Sequence, residues 1–205
     1  EQSGFINEIG IETYQKILAE AIDELKENEF KDLYDEVEGK QQKIFVKETQ
    51  IDSDFELLFP DDYINNITER LTLYTDLNQV KDEEALQKFE AQLVDRFGEL
   101  PDEAEDLLNS VRIKWIANSI GLEKIVMKQG KMIGYFISDQ QSEYYQTPTF
   151  TRVLQYVQSH AQHCKMKEKK TRNGLRLLLV FDNIRSIDRA YLALKPFESK
   201  EKTIA

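Results

Sequence analysis

Residues 164–181 decide the fold of the second half of the chain, and they read Cys164-Lys165-Met166-Lys167-Glu168-Lys169-Lys170-Thr171-Arg172-Asn173-Gly174-Leu175-Arg176-Leu177-Leu178-Leu179-Val180-Phe181. Residues 164–169 follow a period of two, with lysine at every second position, which is typical of a half-buried strand. Asn173-Gly174 is the strongest short signal for a two-residue hairpin turn, and the apolar run from Leu175 to Phe181 suits the strand that follows it. The stretch therefore predicts an antiparallel hairpin.

A similar unit is predicted just upstream. Residues 125–137 indicate another hairpin, with its turn at Gln129-Gly130. Apolar residues at helical spacing across residues 150–157 predict a helix between the two hairpins. A final helix is expected after the second hairpin, capped by Asp182 or Asn183. The order ββαββα predicts one antiparallel sheet covered by helices.

The first half of the chain is predicted to be mainly helical. A strand is expected from Ile44 to Ile51, and a long helical stretch follows with apolar residues from Ile64 to Leu77. Asp82 is expected to cap a second helix that runs to Phe97 and ends at Gly98. Pro101 opens a third helix that stops at Gly121. The fold class is therefore α+β, a helical N-terminal half followed by a ββαββα half.

The segment before Ile44 is predicted to be separate from this domain. Apolar residues recur at helical spacing from Ile11 to Leu25, whereas Lys26 to Lys43 is mostly polar. We therefore divide the chain into residues 1–43, a helix and linker, and residues 44–205, a folded domain.

Composition limits the functional classes. Of the 205 residues, 40% are hydrophobic and 10% are aromatic, which is enough for a folded core. No apolar run approaches the roughly 20 residues that span a bilayer. The single cysteine, Cys164, excludes an internal disulfide framework. We expect a cytoplasmic protein with no membrane contact and, because the chain starts at Glu1 rather than Met, a piece of a longer protein.

Charge is unevenly distributed along the chain. The net charge is −11, which argues against a general nucleic-acid coat. Asp82 to Asp106 contains ten acids and two bases, whereas Thr147 to Phe181 contains seven bases and one acid. These regions are either two solvated faces or two surfaces for two partners, with charge setting encounter rate and selectivity.

The basic hairpin from Lys165 to Arg176 suggests an alternative function, contact with nucleic acid or RNA polymerase. The aromatic residues that a single-strand binder uses for stacking are missing from it. A solvated edge strand protected by lysines explains the same pattern.

No catalytic or metal site is predicted. The chain lacks a glycine-rich phosphate cradle and a nucleophile elbow. His160, His163 and Cys164 are too few for a tetrahedral metal shell, and adjacent His163 and Cys164 would point to opposite sides of a strand. We expect no catalytic residue, no metal ion and no cofactor.

Four carboxylates near the first strand also suggest a cation site, namely Asp52, Asp54, Asp61 and Asp62. Their spacing lacks the glycine and the distal glutamate of a calcium loop. Asp61 and Asp62 are interpreted instead as caps of a helix that starts near Tyr63.

Three blocks in the first half are specific enough to suggest a family: Leu58-Phe59-Pro60-Asp61-Asp62-Tyr63-Ile64, Arg70-Leu71-Thr72-Leu73-Tyr74 and Leu93-Val94-Asp95-Arg96-Phe97-Gly98-Glu99-Leu100-Pro101. In order and spacing they resemble the C-terminal domain of bacterial transcription-repair coupling factors. Gln2-Ser3-Gly4, Ile9-Gly10 and the helix around Tyr14 also look like that family's exit from its translocase motor. The ββαββα half matches mainly in pattern and length.

The resemblance implies a regulatory role inside a large multidomain protein. In the family, an ATP-driven motor pushes on DNA and dislodges stalled RNA polymerase. An N-terminal module resembling the excision nuclease's B subunit recruits the damage-recognition A subunit, and the C-terminal domain masks the recruiting surface. The partners implied here are that module, the motor through the Ile11–Leu25 helix, and RNA polymerase and DNA through the parent protein. The motor's ATP site lies outside this sequence.

The residues implied to bind the module lie on the second helix. Gln92, Asp95, Arg96 and Glu99 fall on a face beside the apolar one formed by residues such as Leu93. In the family, an acid and an Asp of this helix contact the module, and they match Gln92 and Asp95. Gln92 departs from the usual Glu. The alternative is a solvated face with a Gln92–Arg96 pairing.

Overall fold

The computed structural model describes residues 44–171 and 174–198. Its elements in chain order are β1 (Gln50–Ser53), α1 (Ile67–Gln79), α2 (Glu83–Phe97), α3 (Asp102–Ser119), β2 (Leu122–Lys128), β3 (Lys131–Phe136), α4 (Pro148–Ser159), β4 (Cys164–Thr171), β5 (Gly174–Asp182) and α5 (Ile187–Leu194). Short 3₁₀ turns span Glu143–Gln146 and Lys195–Phe197. The α+β class is confirmed. Residues 1–43, with the predicted Ile11–Leu25 helix, and Asn173 of the predicted turn lie outside the described residues.

Five strands form one sheet in the order β1-β2-β3-β5-β4. Both predicted hairpins are confirmed as antiparallel pairs, β2 with β3 and β4 with β5, and β3 pairs with β5 to join them. Gln129 and Gly130 have φ of 52° and 72°, as a two-residue hairpin turn requires. β1 adds a parallel strand at the β2 edge, so the sheet is mixed.

β1 is shorter than the predicted strand from Ile44 to Ile51. It begins at Gln50. The residue before it, Thr49, is held by contacts of its own hydroxyl rather than by backbone pairing with β2. The buried hydroxyl of Thr49 lies 2.6 Å from Asn118 Oδ1 and 2.7 Å from the Leu122 carbonyl. This anchor fixes the chain against the end of α3 before pairing starts.

Two hydrophobic clusters stabilise the domain. The sheet core lies between one face of the sheet and α3, α4 and α5, and it includes Ile125, Met132 and Leu179. The helical cluster is formed by α1, α2, the first half of α3 and the loop before them, and it includes Phe59, Leu86 and Leu93. α3 belongs to both clusters, since its Leu108 packs in the helical cluster and its Ile116 packs in the sheet core. It therefore couples the two halves.

Helix starts differ from the sequence predictions at three places. Asn66 caps α1 instead of Asp61 or Asp62, since its side chain accepts a hydrogen bond from the Glu69 N–H, while the Asp61 carboxylate is bound by the Arg70 guanidinium at 2.7 Å. Ser186 caps α5 instead of Asp182 or Asn183, since Asp182 ends β5 and Asn183 has a φ of 61°. Pro101 stands one position before α3 rather than inside it. No described helix is long and apolar enough to cross a membrane.

Candidate protein-docking surface

α2 is built from strong local signals at both ends. The Asp82 carboxylate accepts a hydrogen bond from the Ala85 N–H at 2.8 Å, which confirms the predicted cap. At the other end Gly98 has a φ of 90° and its N–H donates to the Val94 carbonyl at 2.9 Å. A side chain is disfavoured at this positive φ, so glycine ends the helix here. Both ends of α2 are thereby fixed by its own sequence.

The predicted site residues are exposed on the outer side of α2. Leu86, Phe89 and Leu93 are buried on the inner side. Asp95 follows Leu93 by two residues, which turns its side chain by about 200° away from the core. Gln92 and Asp95, with Glu99 just past the helix end, are all exposed. We call these three residues the outer ridge.

Arg96 differs from the other predicted site residues because it has a partner inside the domain. Its guanidinium pairs with the Glu69 carboxylate of α1 and lies 4.9 Å from the centre of the Phe97 ring. The alternative Gln92–Arg96 pairing is absent from the hydrogen bonds of the described residues. Arg96 therefore links α2 to α1, whereas no hydrogen bond or ion pair of the described residues involves a ridge side chain.

The other flank of α2 is fixed to α3 by a second arginine. The Arg112 guanidinium donates to both Glu83 carboxylate oxygens, at 2.9 and 2.8 Å, and lies 3.6 Å from Glu90. The hydrogen bond from Arg112 lowers the pKa of Glu83, and the same bond raises the pKa of Arg112. Ion pairs on both flanks thus fix the rotation of α2 and keep the outer ridge facing outward.

The three sequence blocks meet beneath this helix. The Phe59 N–H donates to the Tyr74 hydroxyl at 2.8 Å, and the two rings lie 5.0 Å apart. The Tyr63 hydroxyl donates to the Gly98 carbonyl at 3.0 Å. The Tyr63 ring also contacts that of Phe97, at 5.8 Å. The three blocks therefore mainly supply residues that pack beneath α2. The third block also contributes Asp95 and Glu99 of the outer ridge.

Sequence reasoning missed an exposed apolar patch on α1. Ile67 and Leu71 are 66% and 62% exposed, although they lie within the apolar stretch that predicted this helix. They are four residues apart and therefore share one side of α1, adjacent to the buried side that includes Leu73. Assigning each apolar residue of α1 to its position around the helix would separate the exposed pair from the buried residues.

The basic region forms the edge of the sheet. Lys165, Lys167 and Lys169 alternate along β4 and are exposed. Arg176 on β5 pairs with Glu123, and its guanidinium lies 5.8 Å from the Tyr135 ring. The hairpin therefore presents a row of lysines, while Arg176 is engaged inside the domain.

The residues weighed as metal ligands do not converge. Cys164 is buried in the sheet core, and burial raises the pKa of its thiol. The His160 ring stacks on Tyr156 at 4.1 Å, and its centre is 6.4 Å from that of His163. Within the described ranges there is no group of three or more His, Cys, Asp or Glu side chains that could hold a metal ion.

Comparison with known proteins identifies a matching family model. Residues 53–147 match the TRCF domain. The match begins at Ser53, the last residue of β1, and spans the three helices of the helical cluster and the first hairpin. It ends before α4, β4 and β5.

Curated relatives share the same name. The chain is similar to the transcription-repair-coupling factor of Escherichia coli K12, with 33% identity over 125 residues, covering 61% of this chain and 10% of the relative. For the protein of that name from Rickettsia bellii the identity is 28% over 167 residues, covering 82% and 13%. This chain thus spans about a tenth of the length of these relatives.

A solved structure has a similar fold. It is a crystal structure of the C-terminal domain of transcription-repair coupling factor, with a TM-score of 0.51 and 17% sequence identity. The match covers 74% of this chain and 96% of that one. At this identity the likeness is one of fold.

Proposed function

We propose that this chain, whose residues 53–147 match the TRCF domain, is a regulatory docking domain of a transcription-repair coupling factor. In this proposal it acts without catalysis of its own. It docks on the N-terminal module of the same protein and masks the surface that recruits the damage-recognition subunit of excision repair. Docking and release of the domain would then switch recruitment off and on.

The outer ridge is the observation that carries the proposal. Asp95 is exposed and has no ion pair among the described residues, while the pairs on both flanks hold its helix in place. A charge held in this way loses little freedom when a partner binds, which favours docking. An acidic ridge suits a partner surface that carries arginine or lysine.

Gln92 sets the strength of the docking. It stands next to Asp95 on the exposed side, where the family usually has Glu, so this ridge has one fewer negative charge. We expect Gln92→Glu to tighten docking on the module, since a second carboxylate would face the same basic surface. Binding of the isolated module to this chain, measured by calorimetry, tests the direction.

The decisive experiment removes Asp95. Asp95→Ala should weaken binding of the module by ~2–5 kcal/mol if the partner's charge becomes buried and unpaired. It should change the free energy of unfolding by about 0.5 kcal/mol or less, because the side chain is exposed. Arg96 is better left intact, since its loss would also release Glu69 of α1.

Asp76→Ala is the matched control. Asp76 is an exposed acid on α1, so the variant loses the same charge from a different helix. It should bind the module like the unmodified chain. If Asp95→Ala also binds normally while remaining folded, the ridge is a solvated face and masking by this helix is wrong.

The absence of catalysis is tested directly. The chain has no glycine-rich phosphate cradle, so we expect no DNA-stimulated ATP hydrolysis by the purified chain. Stoichiometric turnover that follows the protein through an orthogonal purification step would overturn this part of the proposal.

A second candidate function uses the lysine row of β4 to contact nucleic acid. The exposure of Lys165, Lys167 and Lys169 on one side of the strand favours it. Binding through phosphates would weaken steeply as salt rises, with a slope set by the number of lysines engaged. A salt titration with duplex and single-stranded DNA measures this slope.

A further inference from the structure

β4 has an open backbone edge. Its eight residues pair with β5 along their whole length. In the sheet order β4 comes last, so within the described ranges no strand lies on its outer side. Every second residue of such a strand directs its N–H and C=O outward, where another strand can pair with them. The edge is long enough to hold an extended peptide of ordinary strand length.

The side chains along this edge have a regular charge pattern. Cys164 and Met166 point to the sheet core, so Lys165, Lys167 and Lys169 point to the opposite face. Lysines on alternate residues lie about 6.6–6.8 Å apart. Lys165 is 3.6 Å from Asp182, whereas Lys167 and Lys169 take part in no ion pair of the described residues.

The lysines stand beside an apolar strip on the same face. Lys165 pairs in register with Val180, and Lys167 pairs with Leu178. Both β5 residues are 6% exposed, yet they lie outside the two hydrophobic clusters. A strand added next to β4 would lie on the other side of the lysine row from this strip and would bring its own side chains close to the lysines.

We propose that the outer edge of β4 binds an extended acidic segment of a partner protein as an additional strand. The segment carries carboxylates on alternate residues, because that spacing places them opposite Lys165, Lys167 and Lys169. Main-chain hydrogen bonds supply affinity in this mode of recognition, and the side-chain register supplies specificity. This site is independent of the α2 ridge.

Two other occupants fit the edge less well. A second copy of β4 would bring lysine against lysine, which is unfavourable for directly opposed residues. A nucleic-acid strand would neutralise the lysines but has no regular row of alternating donors and acceptors to match the edge. The nearest aromatic on this face, Tyr135, is partly buried and next to the Arg176 guanidinium, so it is a poor platform for stacking bases.

The test uses three synthetic peptides with the same net charge. One alternates Glu with Val and Thr, the second has the same composition with its Glu residues contiguous, and the third is the alternating peptide N-methylated at its pairing positions. We expect the alternating peptide to bind about tenfold more tightly than either control, by fluorescence anisotropy. It should also slow hydrogen exchange of alternate β4 amides, which charge attraction alone would not do.

Variants of the chain provide the second arm. Lys167→Glu with Lys169→Glu should weaken the alternating peptide about tenfold, and a peptide with Lys in place of Glu should recover binding to this variant. Lys81→Glu with Lys88→Glu changes the net charge equally, on α2 and just before it rather than on the sheet, and should leave binding unchanged. Equal binding of the contiguous and alternating peptides overturns the proposal, as does tighter, salt-sensitive binding of a single-stranded oligonucleotide of the same charge.

Discussion

The outer ridge of α2 and the outer edge of β4 are both charged and exposed, but they offer a partner different groups. The backbone of α2 is hydrogen-bonded within the helix, so the ridge can recognise a partner only through side chains such as Asp95. β4 offers side chains together with a backbone edge that no strand of the described residues pairs with. One substitution should therefore weaken binding at the ridge more than it weakens binding at the edge.

The two surfaces also depend on different supports. The ridge rests on three helices that are tied by side chains from distant segments, such as Arg96 with Glu69 and Arg112 with Glu83. The edge rests on a ladder of backbone pairs, β4 to β5 and β5 to β3. The ties between the helices need specific residues. The backbone ladder needs only strands with apolar residues at every second position.

The largest effect is expected at the joint between α3 and β2. Gly121 has a φ of 77°, and a Cβ there would overlap the buried Tyr144 ring. Gly121→Ala should cost about 1–3 kcal/mol for the backbone and a further ~1–3 kcal/mol for the overlap. Urea unfolding measures the total.

Gly98→Ala measures the backbone cost without the overlap. Gly98 has a φ of 90° at the end of α2, with nothing within 4 Å of an added Cβ. This variant should lose only the backbone term, about 1–3 kcal/mol. Equal losses of unfolding free energy in the two alanine variants would mean that the Tyr144 ring moves aside and that the joint between α3 and β2 is not tightly packed.

Leu93→Ala is expected to have the next largest effect. Leu93 is 1% exposed directly beneath the ridge, so its truncation should cost about 2–5 kcal/mol of unfolding free energy. The neighbouring Val94 is 44% exposed, and Val94→Ala should cost much less. Where Leu93→Ala remains folded it should still bind the alternating peptide at β4. Loss of that binding would show that the two surfaces are not supported separately.

Local signals explain the parts of the fold that sequence predicted well. Asp82 and Gly98 determine the ends of α2 through bonds within four residues, and Gln129-Gly130 determines the first hairpin through its own φ angles. Such features need no knowledge of the rest of the chain. The two hairpins and the order of helices followed from them.

Long-range contacts explain what the sequence could not predict. The late start of β1 depends on Thr49 reaching Asn118, which is 69 residues away. The Asp61 carboxylate pairs with Arg70 of α1 instead of capping the helix, and Asn66 is the cap. At the candidate site, the helical period predicted an exposed face, but the pairing of Arg96 with Glu69 across 27 residues had no local signal. Whether the ridge binds the module is still a prediction.

The smallest effect is expected at the flank of the ridge, and it depends on pH. Arg112 lowers the pKa of Glu83 below its ordinary value of 4.5, so folding favours the ionised carboxylate. The stabilisation by this pair is fully present above pH 4.5 and is lost as the pH falls through the lower folded-state pKa. Glu83→Gln should therefore lower the unfolding free energy at pH 7 by about 1 kcal/mol or less, since the pair is partly exposed. It should also make the loss of stability on acidification less steep.

Glu84→Gln is the matched control, because Glu84 is the next residue and its ion pair among the described residues is the exposed one with Lys88. Urea unfolding of both variants between pH 3 and pH 7, about the range over which carboxylates titrate, distinguishes them. Parallel curves for the two variants would show that Arg112 does not fix this flank and that the ridge is held by Arg96 alone.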